Sequence, residues 1–216
     1  MKREEILRSE NLLKKNLLAI LFFWVSKNIK SKRLLKRVIK KSVVKIELGS
    51  GSKKGKNGWI TIDLYGADIN MDLRRRLPIP NFSVDKFFAS HFLEHLNIME
   101  LHNILTTCFQ QLKIGGLFYI AVPDASLFIN AYSEKRNIMK TLTTVHEKSY
   151  TDTNSKIDQI NYIAYMSGEH KHMFDSESLV NLFLSIGFQE CKPRHFFEEL
   201  DTKEHIDHSL YFVAIK

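Results

Sequence analysis

Cysteine is scarce in this chain: Cys108 and Cys191 are the only two among 216 residues. They form no C-x-x-C pair, which removes the common zinc arrangements. With no signal-peptide cleavage pattern evident, the expected setting is the reducing cytoplasm. Long hydrophobic runs are also missing. The apolar run LLAILFFWV at Leu17–Val25 is nine residues long, whereas a helix needs roughly 20 to cross a bilayer. Repeats and low-complexity tails are absent too, so a chain with 44% hydrophobic residues is expected to bury one sizeable core.

Excess positive charge is missing from most of the sequence, despite a formal net charge of +8. Residues 1–45 hold 14 Lys and Arg against 3 Glu, and residues 46–216 hold 18 against 21 acidic residues. The basic character is N-terminal, and the body gives no reason to expect nucleic acid as a partner. Residues 1–41 read as a basic amphipathic helical extension and residues 42–216 as one domain. Lys14, Lys15, Lys27, Lys30, Lys32 and Arg33 flank the apolar run. Two readings stand: peripheral contact with an anionic membrane, at its inner face if the protein is cytoplasmic, or a helix packed on a bare face of the core.

What is present begins at VVKIELGSGS, residues 43–52. An apolar run carrying Glu47 is broken by Gly49 and Gly51, where the backbone can turn sharply and approach a ligand without a side chain between. The next apolar run, WITIDL, puts Asp63 where a carboxylate can accept hydrogen bonds from a ribose. A dinucleotide fingerprint requires G-x-G-x-x-G opening a helix that faces a pyrophosphate. Here the third glycine, Gly55, falls one residue late, and residues 50–58 are too short for a full crossover helix. The spacing weakens an NAD-dependent oxidoreductase reading.

Further strands are predicted at Ala67–Met71, Val84–Ser90 and Leu117–Val122, besides Val43–Leu48 and Trp59–Leu64. Helical spacing spans Ile98–Leu112, with Gly115-Gly116 where the chain leaves the helix, and recurs at Ser176–Ile186, capped by Asp175 or Ser176 and closed by Gly187. Phe188–Lys192 and Leu210–Ile215 read as a final antiparallel pair. The expected class is α/β, a doubly wound and mostly parallel sheet whose last strand is antiparallel, preceded by the basic helical segment.

Taken in order, ELGSGS (47–52), GWITIDL (58–64), ADINMDL (67–73), LPIPNFSVDKFFASHFLEHL (77–96), LKIGGLFYIAVPD (112–124) and, more weakly, HKHMFDSESLVNLFLSIGF (170–188) resemble the class I S-adenosylmethionine-dependent methyltransferases. The likeness is to a compact bacterial branch linked to surface polysaccharide and glycolipid biosynthesis. It implies S-adenosylmethionine as cofactor, held by Glu47 near the methionine end, by the backbone at Gly49, Ser50 and Gly51, by Asp63 with Leu64 at the ribose, by Asp72 and Leu73 at the adenine, and by Ser90. It implies O-methylation of a sugar of a cell-surface glycan or its lipid-linked precursor. A non-catalytic, cofactor-retaining partner in a glycan-assembly complex is the alternative.

His91 ends the fourth strand and is the favoured general base, since an imidazole with a pKa near 6.5 can take a hydroxyl proton. Its competing role is to line the methionine pocket. His170 and Asp124 follow as candidate bases, and Glu94 is expected to cap or pair rather than react. Residues 126–167 match no known pattern and stand where this fold places acceptor-recognition lids, so a helical acceptor-side insertion is expected there. No metal is expected: His170, His172, His205 and His208 come with no carboxylate-histidine spacing of a known site.

Overall fold

The computed structural model describes residue 31, residues 33–139, residues 142 and 153, and residues 155–216. Among these, seven strands form one sheet: β1 (Lys45–Leu48), β2 (Trp59–Asp63), β3 (Ile69–Asn70), β4 (Val84–Ser90), β5 (Leu112–Pro123), β6 (Glu190–Pro193) and β7 (Ser209–Ile215). Their spatial order is β3-β2-β1-β4-β5-β7-β6. The first five pair in parallel, and β7 lies antiparallel between β5 and β6. This is the doubly wound sheet the sequence predicts. The strand order reverses between β1 and β4, so a crevice opens at their carboxyl ends, where ligands bind in such sheets.

After β4 come α1 (Ile98–Gln111), α2 (Ala125–Ser133), α3 (Asp158–Tyr165) and α4 (Ser176–Ile186). α1 starts at Asn97, whose side chain accepts from the Glu100 N–H while Glu100 accepts from the Asn97 N–H, both at 3.0 Å. α4 starts at Asp175, which pairs with Ser178 in the same reciprocal way, and ends at Gly187 with φ +118°. Such caps satisfy backbone groups that a helix leaves open. Both helices bury their apolar stripe on the sheet face of Ile46, Phe87, Phe118 and Phe212. Phe118 meets Phe87 at 5.7 Å and Phe183 of α4 at 5.5 Å between ring centroids. Each fully buried ring contributes about 1.5–3 kcal/mol. Cys108 and Cys191 are both buried, and burial pushes the Cys191 thiol up to about 12.

Some element bounds differ from the expectation. β1 begins at Lys45 because Val43 is exposed and the Val44 N–H donates to the Asp85 carboxylate at 2.8 Å. β3 shrinks to two residues. β5 starts at Leu112, directly after α1, and takes in Gly115-Gly116. The register passes from Val84↔Leu112 to Lys86↔Leu117, so residues 113–116 bulge, with Gly115 at φ +72°.

The opposite sheet face carries Lys45, Glu47, Trp59, Thr61, Phe88 and Tyr119 in register. No helix follows β1; residues 49–58 cross as a loop. Thr61 Oγ1 donates to the Lys53 carbonyl at 2.9 Å, and Asp68 accepts from the Gly55 and Thr61 N–H groups at 2.9 and 3.2 Å. The β6–β7 connection, residues 194–208, folds over part of this face. There the Arg194 guanidinium lies 5.7, 5.2 and 5.2 Å from the Tyr119, Phe197 and Tyr211 rings. It is fully enclosed with Asp201, its Nη1 and Nη2 donating to the carboxylate at 2.5 and 2.7 Å.

Residues 33–38 are helical, and Leu35 and Val38 join the core on the Ile46/Phe87 side. This part of the basic segment therefore packs on the face shared with α1 and α4, not on the bare one. The run Leu17–Val25 lies outside the described residues. Within the insertion, α2 and α3 build a small second core from Ala125, Phe128, Met139, Tyr162 and Ile163.

Candidate active site

The crevice is shaped by the loop after β1. Gly49 donates to the Ile62 carbonyl at 2.9 Å and Gly51 to Asp63 Oδ2 at 2.8 Å, while Asp63 Oδ1 accepts from the Leu64 N–H at 2.6 Å. Asp63 thus ties the glycine loop to the end of β2. Gly49 and Gly51 both adopt left-handed backbone, φ +68° and +63°. A Cβ at Gly49 would stand 2.3 Å from the Phe92 ring, whereas one at Gly51 would project into open space. That space, flanked by Asp63, is a cradle in which a ligand can approach bare backbone.

Glu47 sits behind the loop on the helix-free face. Burial raises its carboxyl above the ordinary glutamate range, against the pull of Lys53. A partly desolvated carboxylate of this kind is suited to a cationic ligand group. Ser50 is buried and Ser90 half-buried at the end of β4. Leu64 is exposed and Leu73 buried. Asp72 is already engaged: its two oxygens accept from Arg74 Nε and Nη2 at 2.9 Å each, which holds its carboxyl low.

Beyond the crevice, past the ends of β4 and β5, lies a second cavity of about 200 Å³, lined by His91, Glu94, His95, His170, His205 and His208 among others. His91 is turned into it by a left-handed backbone, φ +49°, anchored by its N–H to the Ala121 carbonyl at 2.9 Å. Its Nε2 is 2.8 Å from Ser209 Oγ and its Nδ1 3.4 Å from Glu94 Oε1. The His205 ring stacks on it at 4.0 Å. Glu94 is almost completely buried. Burial alone would raise its carboxyl, but His91 and His95 beside it hold it below the ordinary range.

His170 is buried, and its Nδ1 donates to the Ile163 carbonyl at 2.8 Å. Burial pushes its imidazole down. The Lys171 and His172 N–H groups bond the Glu94 carbonyl at 2.8 and 3.2 Å, which brings this segment to the end of β4. His172 points elsewhere, its ring 4.6 Å from Phe174. Asp124 caps α2: its Oδ1 accepts from the Ser126 N–H at 2.9 Å and from the Ser126 hydroxyl at 2.5 Å. Both interactions are local, and Asp124 does not line the histidine cavity.

His91 and His170, proposed separately from the sequence, meet in one cavity. Sequence reasoning missed Ser209, the burial of Glu94, the inward turn of His95, and Phe92 against Gly49. The spacing His91, Glu94, His95 over one turn was a usable signal. The approach of His205 and His208 was not, because it depends on how residues 194–208 fold back.

No protein-family model and no curated protein matches the chain. Among solved structures, it is similar to an S-adenosylmethionine-dependent methyltransferase of Archaeoglobus fulgidus, at 17% identity over 88% of this chain and 94% of that one, with a TM-score of 0.51. Lower scores relate it to an S-adenosylmethionine-dependent methyltransferase of Mesorhizobium loti, at 16% identity over 80% and 90% with a TM-score of 0.45. They relate it also to the 1,6-didemethyltoxoflavin-N1-methyltransferase of Burkholderia thailandensis, at 12% identity over 99% and 88% with a TM-score of 0.47. The Archaeoglobus likeness shows a shared fold: a Rossmann-like sheet with an antiparallel strand.

Proposed function

We propose that this chain, which has the Rossmann-like methyltransferase fold, is an S-adenosylmethionine-dependent methyltransferase acting on a hydroxyl group. The observation that carries the reading is the adjacency of two differently built spaces at the strand-order reversal. One is the bare-backbone cradle of Gly51 and Asp63; the other is the histidine cavity past β4 and β5. The residues of the first fit the cofactor: Asp63 for the ribose hydroxyls, Glu47 for the ammonium end, Leu73 as an apolar wall for the ring. The fold shared with the Archaeoglobus methyltransferase supports the same reading. A dinucleotide fits less well, since residues 49–58 offer no helix N-terminus to a diphosphate.

Bound there, the cofactor supplies an activated methyl group on a sulfonium. The chain's part is to align an acceptor oxygen with it and to receive the hydroxyl proton. His91 lines the histidine cavity next to Phe92, which packs against Gly49 of the cradle loop, and its Nε2, paired with Ser209, is the atom we assign to the proton. Asp124, engaged in capping α2, is assigned no chemical role. The helices of residues 126–167 form one wall of the cavity through Phe128, Tyr162 and Ile163, and we assign acceptor recognition to them.

The acceptor class, a sugar of a surface glycan or its lipid-linked precursor, rests on the sequence resemblance, whereas peripheral contact of residues 1–41 with an anionic membrane at its cytoplasmic face rests on the basic residues that flank the apolar run Leu17–Val25. No described helix is long and apolar enough to cross a membrane. The test is transfer of labelled methyl to nucleotide sugars and glycan fragments. His91→Gln is expected to keep cofactor binding and lose turnover, with Asp124→Asn close to the parent. Unchanged turnover in His91→Gln removes it as the proton acceptor.

A further inference from the structure

In the histidine cavity, three side chains able to ligate a metal converge. One ligand atom each from Glu94, His95 and His170 lies within 4.8 Å of the other two. His95 Nδ1 is 3.1 Å from the Glu169 carbonyl and His170 Nδ1 is 2.8 Å from the Ile163 carbonyl. A carbonyl can only accept, so in both rings Nδ1 carries the proton, and in the neutral imidazole Nε2 is then a bare lone pair. His95 Nε2 faces Glu94 Oε1 at 4.0 Å, too far for a hydrogen bond. Neither Glu94 oxygen makes a hydrogen bond among the described residues.

An almost fully buried carboxylate surrounded by imidazole lone pairs is expensive unless a positive charge stands among them. His91, with Nδ1 3.4 Å from Glu94 Oε1, can supply one from one side of the carboxylate; a cation bound among the three donors supplies it from the other.

We propose that Glu94, His95 and His170 bind one divalent transition-metal ion of the zinc class through a carboxylate oxygen and two Nε2 atoms. Two histidines and one carboxylate are an established donor set for such ions, leaving coordination positions open to water or substrate. The Nδ1–H bonds to backbone carbonyls are the outer contacts that orient ligating histidines. The donors are already drawn together: the Lys171 and His172 amides hold the His170 segment to the Glu94 carbonyl. Donors about 2.1 Å from a tetrahedral ion stand about 3.4 Å apart, so closing the present gaps takes movements of about 1 Å. This revises the expectation of no metal, whose basis was the lack of a local carboxylate-histidine motif. Here the site is assembled from two distant segments.

The inference needs only the cluster and is independent of methyl transfer. The test uses tag-free, full-length protein treated with a chelator and titrated with Co²⁺ and Zn²⁺ in the absence of any cofactor. One equivalent is expected to bind, with the visible bands of four- or five-coordinate Co²⁺. His95→Gln and His170→Gln should each weaken binding at least about 100-fold, while His102→Gln, at an exposed histidine outside the cavity, should leave it unchanged. Where the single variants do not fold, the parent's stoichiometry and Co²⁺ spectrum decide. No stoichiometric binding, or a spectrum like that of the aqueous ion, overturns the proposal. So does full binding by the folded His95→Gln/His170→Gln protein, or loss in His205→Gln and His208→Gln but not in His170→Gln.

Discussion

Asp201→Asn leaves the Arg194 guanidinium buried without its carboxylate, and the consequence can be worked out from the contacts. The Arg194 and Asp201 side chains are 4% and 0% exposed. Asp201 accepts two bonds from Arg194 and a third from the Phe197 N–H at 2.7 Å. Removing one partner of such a pair costs about 3–5 kcal/mol, because the other charge stays desolvated. For a chain of this size that corresponds to a fall in Tm of about 6–20 °C. Replacing both partners, in Arg194→Met/Asp201→Leu, removes the stranded charge and is expected to recover stability to within about 2 kcal/mol of the parent. Equilibrium urea unfolding followed by circular dichroism measures both. A loss below about 1 kcal/mol in Asp201→Asn, the worth of an exposed pair, would refute the reasoning, as would a double variant no better than the single one. Because residues 194–208 deliver His205, His208 and Ser209 to the cavity, Asp201→Asn should also depress turnover at temperatures where it remains folded.

Glu47→Gln should raise stability by about 0.5–1 kcal/mol while weakening S-adenosylmethionine, the signature of a residue kept for binding. The sign follows from its raised folded pKa: the charged form is disfavoured in the native state, so the penalty is fully present above that pKa and fades as pH falls through it. Differential scanning calorimetry against pH checks this, and a destabilised Glu47→Gln contradicts it. Gly49→Ala combines left-handed strain of about 1–2 kcal/mol with a clash on Phe92 of about 1–3 kcal/mol. Gly51→Ala carries only the strain, since its Cβ meets open space, but should lose cofactor. Equal destabilisation of the two variants would contradict the loop geometry.

The fold was legible wherever pattern and local chemistry agree. Ser176–Ile186 carried its cap, its apolar stripe and its closing glycine in one stretch, and the structure reproduces it residue for residue. Val84–Ser90 was equally plain. The start of β5 was not, because Gly115-Gly116 reads as the exit from a helix, while the sheet uses it as a bulge enforced by pairing with β4. The cover of the helix-free face was invisible for a related reason: Arg194 and Asp201 look like two surface charges until the hairpin folds them inward. At the crevice, local signals pointed to Gly49, Gly51 and Asp63, which lie in the loop after β1 and at the end of β2, close in sequence. Glu94, His95 and His170 needed residues 170–172 to return to the end of β4, a contact made by backbone amides that leaves no mark in side-chain composition.

The central claim is tested most directly by calorimetry of the full-length protein with S-adenosylmethionine, S-adenosylhomocysteine and NAD in parallel, repeated for Asp63→Ala. The account predicts that the first two bind and NAD does not. Asp63→Ala should weaken binding at least tenfold, since charge-assisted hydrogen bonds contribute about 1.5–3 kcal/mol each. Tight NAD binding with no affinity for S-adenosylmethionine would contradict the account, and parent-like affinity in Asp63→Ala would contradict the role given to the crevice.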